Sequence, residues 1–164
     1  MGKKEFRKGA IAFLAKFFII YGVLQALILF APLEGMESGI ASVEAGALGL
    51  EADGNRILFD SHSFEIAANC TGLMGISVLA AIALSLKKPE LKKKIALVVA
   101  GSILLLAINL LRLYLVLLAA ISFNAEMAEA LHTLTWFAMA AAILAIWYFF
   151  TKRISGKKVF AEML

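Results

Sequence analysis

The chain has 164 residues, a length suited to one compact domain, and 62% of them are hydrophobic, with a mean hydropathy of +0.90. Soluble domains use apolar residues for about half of their length, so this composition excludes a water-soluble globular protein and calls for a core that faces lipid. The net charge of +4 would suit a nucleic-acid partner, but the basic residues fall in three short clusters at the ends of apolar runs, which is how membrane proteins mark their cytoplasmic side. No nucleic-acid motif is present.

The amino end carries Lys3, Lys4, Arg7 and Lys8. An apolar run follows over about 10–30, interrupted by Lys16, Tyr21 and Gln25. At 1.5 Å per residue it measures roughly 31 Å, enough to cross the hydrocarbon. Ala31-Pro32-Leu33-Glu34 offers no small-x-small cleavage site, so a retained helix is expected rather than a secretory signal. The character changes over 31–65. Seven acidic residues and the single basic Arg56 lie between Pro32 and Glu65, punctuated by glycines. Arg56-Ile57-Leu58-Phe59 and Phe64-Glu65-Ile66 flank the turn-like Asp60-Ser61-His62-Ser63, which predicts a short β-hairpin within an outer loop.

A second span is expected over about 66–86, followed by five lysines between Lys87 and Lys94. The third span, about 95–121, is long and must tilt or protrude. Ser122-Phe123-Asn124 reads as a tight turn, with Asn124 as N-cap of a fourth span over about 125–150. Lys152, Arg153, Lys157 and Lys158 follow. The expected fold is thus an all-α integral membrane protein, a single membrane domain over 1–164 with four transmembrane helices. Both termini and the Lys87–Lys94 loop are cytoplasmic by the positive-inside rule, and the acidic loop faces outward.

Cys70 is the only cysteine, so it makes no internal disulfide, and with two histidines in the chain it makes a poor zinc site. No metal or cofactor is expected. A packed structural thiol or a nucleophile remains. Two further residues bear on the choice. Arg112 lies roughly 13 Å below the outer end of the third span and His132 roughly 10 Å below that of the fourth, so all three polar groups fall in the outer half of the membrane. A charged arginine at that depth usually faces a partner, a cavity or a substrate. Acyl transfer by a thiolate would use such a trio. A free thiol, with an ordinary pKa of about 8.5, is mostly protonated at neutral pH, and a helix N-terminus or a fixed positive charge favours the thiolate. A neutral imidazole at His132 would take the thiol proton and return one to a leaving amine. Arg112 does not deprotonate, so its role would be to stabilise an oxyanion or grip a carbonyl.

Asn109, one turn before Arg112, would orient the guanidinium. Thr71 would donate to the oxyanion or cap the helix, and Gly72 and Gly75 would admit close approach to the thiol. Each has a plain structural alternative: Gly72 and Gly75 as ordinary helix-packing residues, Thr71 and Asn109 as local hydrogen-bonding groups. His62 reads as a solvated loop residue.

Cys70-Thr71-Gly72 after an outer hairpin, Asn109-x-x-Arg112 in the next helix and His132 in the one after resemble the exosortase/archaeosortase family of membrane cysteine transpeptidases. The likeness runs from about Asn55 to Ala140. It implies recognition of a carboxy-terminal sorting tail on secreted proteins (motif, transmembrane helix, basic end), cleavage through a thioester on Cys70, and transfer to a membrane lipid or other surface acceptor. Arg112 and His132 would be the catalytic partners. It also implies a multi-pass protein of the plasma membrane with its active site outside. Many relatives have more than the four spans read here, so this chain resembles a reduced core. The competing readings are a non-catalytic small membrane protein, an inactive relative acting as a subunit, and a transporter or channel fragment. A lone intramembrane arginine without an acidic partner makes a poor ion path, which disfavours the last.

Overall fold

The computed structural model describes residues 3–59 and 62–155. It contains the helices α1 (Lys3–Phe30), α2 (Glu34–Leu48), α3 (Leu73–Ser85), α4 (Leu91–Ser122) and α5 (Ala125–Ser155), and the strands β1 (Glu51–Asp53), β2 (Arg56–Phe59) and β3 (His62–Glu65). Three helices, α1, α4 and α5, are long and apolar enough to cross a membrane. The most apolar stretch of α1 has none of its residues buried inside the protein, against 39% for α4. Apolar side chains turned outward in this way suit a lipid surround, and α4 is the central helix.

The region expected as a second span is divided. Only Leu73–Ser85 is α-helical, 13 residues, or about 20 Å, where a spanning helix needs about 20 residues. Ahead of it, Ala68–Cys70 forms a single 3-10 turn. Gly72 then adopts the left-handed conformation, φ +81°, so a continuous helix from Ile66 is ruled out.

The stretch expected as a loop carrying one hairpin contains the 15-residue helix α2. Its Ala41, Glu44 and Ala45 are buried at helical spacing. Gly49, φ +70°, ends it in the left-handed conformation, and Leu50 donates back to the Ala45 carbonyl at 2.9 Å, a Schellman-type stop. The sheet is an antiparallel β1-β2-β3 meander. β1 had no counterpart in the sequence reading, and His62 and Ser63, read there as turn, belong to β3. Asp60 and Ser61 of that turn, and Lys157 and Lys158 of the basic tail, lie outside the described residues.

Two apolar clusters organise the molecule. In the first, the α2 and sheet layer meets α4: Ala41, Ala45 and Ile57 pack with Ile66, Cys70, Leu113 and Leu117. In the second, α3, α4 and α5 pack through Leu79, Ala83, Leu97, Leu105, Met139, Ile143 and Ile146. Gly101 is the notch in α4 that receives Leu79, with Ile146 beside it. Helix α1 packs chiefly on α3, where Gln25 donates to Ser77 Oγ at 2.7 Å. Asn124 Oδ1 accepts from the Met127 amide at 2.8 Å at the start of α5.

Candidate active site

The Cys70 segment is built by short-range hydrogen bonds. The Cys70 amide donates to Ala67 O at 2.8 Å, and Thr71 Oγ1 donates to Ala68 O at 2.7 Å. Thr71 is fully buried and also accepts from the Leu73 amide at 3.4 Å. A Cβ at Gly72 would lie 3.2 Å from Asn109 Cγ. The glycine therefore serves both the left-handed turn and the close approach of α4. Across that contact Asn109 Nδ2 donates to the Cys70 carbonyl at 2.6 Å.

One turn further along α4, Arg112 is only 6% exposed. Its guanidinium reaches three side chains. Nε donates to Thr135 Oγ1 at 3.1 Å, Nη1 to Asn109 Oδ1 at 3.4 Å, and Nη2 lies 3.1 Å from His132 Nε2 and 3.3 Å from Nδ1. The ring of Trp136 lies 5.5 Å from Cζ. None of these partners is a carboxylate. A buried cation held by neutral acceptors is ready to pair with negative charge that develops beside it.

Cys70 is 6% exposed and packs in the cluster of Ala41, Ile57 and Leu117. Its thiol contacts Asn69 Oδ1 at 3.5 Å. The structure thus joins Asn109, Arg112 and His132 in one hydrogen-bonded group and ties the Cys70 backbone to it. The thiol itself is bonded to neither Arg112 nor His132. Thr71 is committed to its own turn, and His62 stacks on Phe59 in the sheet.

Cys70, Asn109-x-x-Arg112 and His132 thus lie in that order on successive elements, with Asn109, Arg112 and His132 drawn together. The model of the transmembrane exosortases matches residues 1–148. The chain belongs to that family. No curated protein and no solved structure matches it. Members of the family are generally membrane cysteine transpeptidases, and with three long apolar helices this exosortase-family chain is a multi-pass membrane protein.

Two cavities flank the Cys70 segment of this exosortase-family protein. One, about 340 Å³, has Asn69, Gly72, Asn109, Arg112 and Trp136 at its polar end and runs between α3 and α5 past Met139 and Ile143, with Tyr21 of α1 on its wall. The other, about 390 Å³, lies between α1 and α2 and includes Gln25, Glu34 and Glu37. Asn69 and Met74 belong to both walls. Neither Cys70 nor His132 lines the apolar cavity, although Asn69 and Gly72 on each side of the thiol-bearing segment do. No group of three or more His, Cys, Asp or Glu side chains placed to hold a metal occurs among the described residues.

Sequence reasoning passed over Asn69, Thr135 and Trp136. The signal for the last two was present: they stand three and four residues after His132, hence on its face of α5.

Proposed function

We propose that this exosortase-family protein is a cysteine transpeptidase that cleaves the carboxy-terminal sorting tail of secreted proteins at the outer membrane face and passes the new carboxyl end to a lipid or other surface acceptor. The observation that carries the reading is the buried, carboxylate-free Arg112, bonded to His132 and linked through Asn109 to the Cys70 segment. In the reaction, the Cys70 thiol leaves Asn69 Oδ1 for the guanidinium side, gives its proton to His132, and attacks the scissile carbonyl. The oxyanion is met by Arg112. Collapse breaks the C–N bond, the leaving amine takes the proton from His132, and a thioester remains. An acceptor hydroxyl or amine, deprotonated by His132, then attacks the thioester and releases the thiol.

The basic clusters support placing both termini and the Lys87–Lys94 loop in the cytoplasm, with the α2 and sheet layer outside. That arrangement needs a fourth crossing, through the short α3. Single cysteines introduced at Glu51 and at Lys92 in a Cys70→Ala background, labelled with an impermeant maleimide on intact cells, test it. Labelling at Lys92 but not at Glu51 would reverse the orientation.

A specific observation favours a second reading, an inactive relative serving as a subunit: the thiol is packed among apolar side chains and is not bonded to the imidazole. Cys70→Ala and Cys70→Ser decide between the two. Each should abolish processing of a tailed reporter while the protein stays inserted at wild-type abundance. Continued processing overturns the enzymatic reading.

A further inference from the structure

Trp136 takes part in two contacts of the site. Its indole Nε1 lies 3.1 Å from His132 Nε2, and its ring lies 5.5 Å from Arg112 Cζ. An indole N–H only donates, and so does a guanidinium. Arg112 Nη2 lies near both ring nitrogens, 3.1 Å from Nε2 and 3.3 Å from Nδ1, and does not choose between them; the Trp136 N–H, 3.1 Å from Nε2, does. A protonated Nε2 would oppose that indole donor. A lone pair on Nε2 meets it, which places the proton of the neutral ring on Nδ1. A single-bonded neighbour four residues along the same helix holds this geometry, since α5 is regular from Ala125 to Ser155. Trp136 and Arg112 both line the apolar cavity.

We infer that Trp136 is a positioning residue that fixes His132 as the Nδ1–H tautomer, with the lone pair on Nε2, and keeps Arg112 beside it. Its catalytic consequence rests on the transpeptidase reading above; the tautomer itself does not. Proton uptake at Nε2 requires the indole N–H to turn aside, so Trp136 selects the ring nitrogen that takes the thiol proton and holds it in reserve until then.

The test uses the full chain in detergent micelles, labelled with ¹⁵N-histidine. The sequence has two histidines, so a His62→Gln variant assigns both rings. At alkaline pH, His132 should show a pyrrole-like Nδ1 and a pyridine-like Nε2. Trp136→Phe keeps an aromatic face over Arg112 but removes the N–H, and should move the proton toward Nε2. In a tailed-reporter assay the same variant should lose roughly three- to tenfold in kcat, the factor one hydrogen bond is worth, with KM nearly unchanged. A wild-type His132 that already carries its proton on Nε2 overturns the inference, as does a Trp136→Phe spectrum identical to wild type. Reporter cleavage that persists in Cys70→Ala sinks the transpeptidase reading instead and leaves the spectral result standing. Should Trp136→Phe not fold, Trp136→Leu, which also lacks a donor, gives the same tautomer comparison.

Discussion

Asn109 Nδ2 lies 2.6 Å from the carbonyl oxygen of Cys70, so a side chain of α4 holds the segment that carries the thiol. The other end of the same amide accepts from Arg112 Nη1 at 3.4 Å. One residue thereby sets the distance between the two groups on which the proposed chemistry depends. Removing it leaves a buried carbonyl without this donor. Asn109→Ala should cost about 1–3 kcal/mol of stability and abolish reporter processing. Asn109→Asp keeps an acceptor for Arg112 and loses the donor to Cys70. If anchoring of the segment is what matters, it is as inactive as the alanine variant. Thermal unfolding in micelles and a reporter cleavage assay measure the two effects.

Gly72 and Gly75 differ sharply although they are three residues apart. At Gly72 the positive φ and the 3.2 Å approach to Asn109 Cγ both oppose a side chain. Gly72→Ala should destabilise by about 1–2 kcal/mol for the left-handed backbone alone and displace Asn109, with loss of processing. At Gly75 a Cβ meets Ile143 Cδ1 at 3.5 Å and Met139 Cε at 3.7 Å, ordinary contacts. Gly75→Ala should stay within about 0.5 kcal/mol of wild type. Denaturant titration of the pair checks this, and equal costs would contradict it.

Arg112→Lys tests the shape of the charge rather than its presence. The guanidinium spends Nε on Thr135, Nη1 on Asn109 and Nη2 on His132, three directions that one ammonium on a flexible stem does not reproduce. Reporter turnover should fall roughly 10²- to 10³-fold, the scale of a lost oxyanion donor. Turnover within threefold of wild type would remove Arg112 from that role.

Glu44 gives a pH signature outside the spanning helices. It is buried on α2, and burial pushes its carboxyl up from 4.5 to about 7. Between those values the folded protein binds a proton that the unfolded chain has released. Stability therefore falls as pH rises through that window and is level above it. Glu44→Gln stays neutral throughout, so its melting temperature relative to wild type should climb between about pH 5 and about pH 8. A constant difference across that range would show that the Glu44 carboxyl is not perturbed.

The long helices were legible because length and hydropathy alone identify them: the expected spans over about 10–30, 95–121 and 125–150 fall within α1, α4 and α5. Asn109 and Arg112 were placed on one helix face by their spacing, and they are hydrogen-bonded there. Helix α2 was hidden by Gly35, Gly39 and Gly46, which read as loop punctuation. Its signal was the Ala41, Ala45 and Leu48 spacing closed by Gly49, and the helix exists because that face packs on Ile57 and Leu117. The apolar run from Ile66 concealed the break at Gly72, since hydropathy does not register a left-handed turn. Nor does spacing reveal which way a thiol points. The sequence put the Cys70 thiol beside Arg112 and His132; it packs instead with Ala41 and Ala45 of α2, an element the sequence reading lacked.

Asn69 and Met74 line both chambers beside the Cys70 segment. One side is greasy and holds the guanidinium; the other carries the glutamates. Under the transpeptidase reading proposed above, this shared wall, with Asn69 next to the thiol-bearing residue, is where an acceptor entering from the apolar side and one entering from the glutamate side would meet.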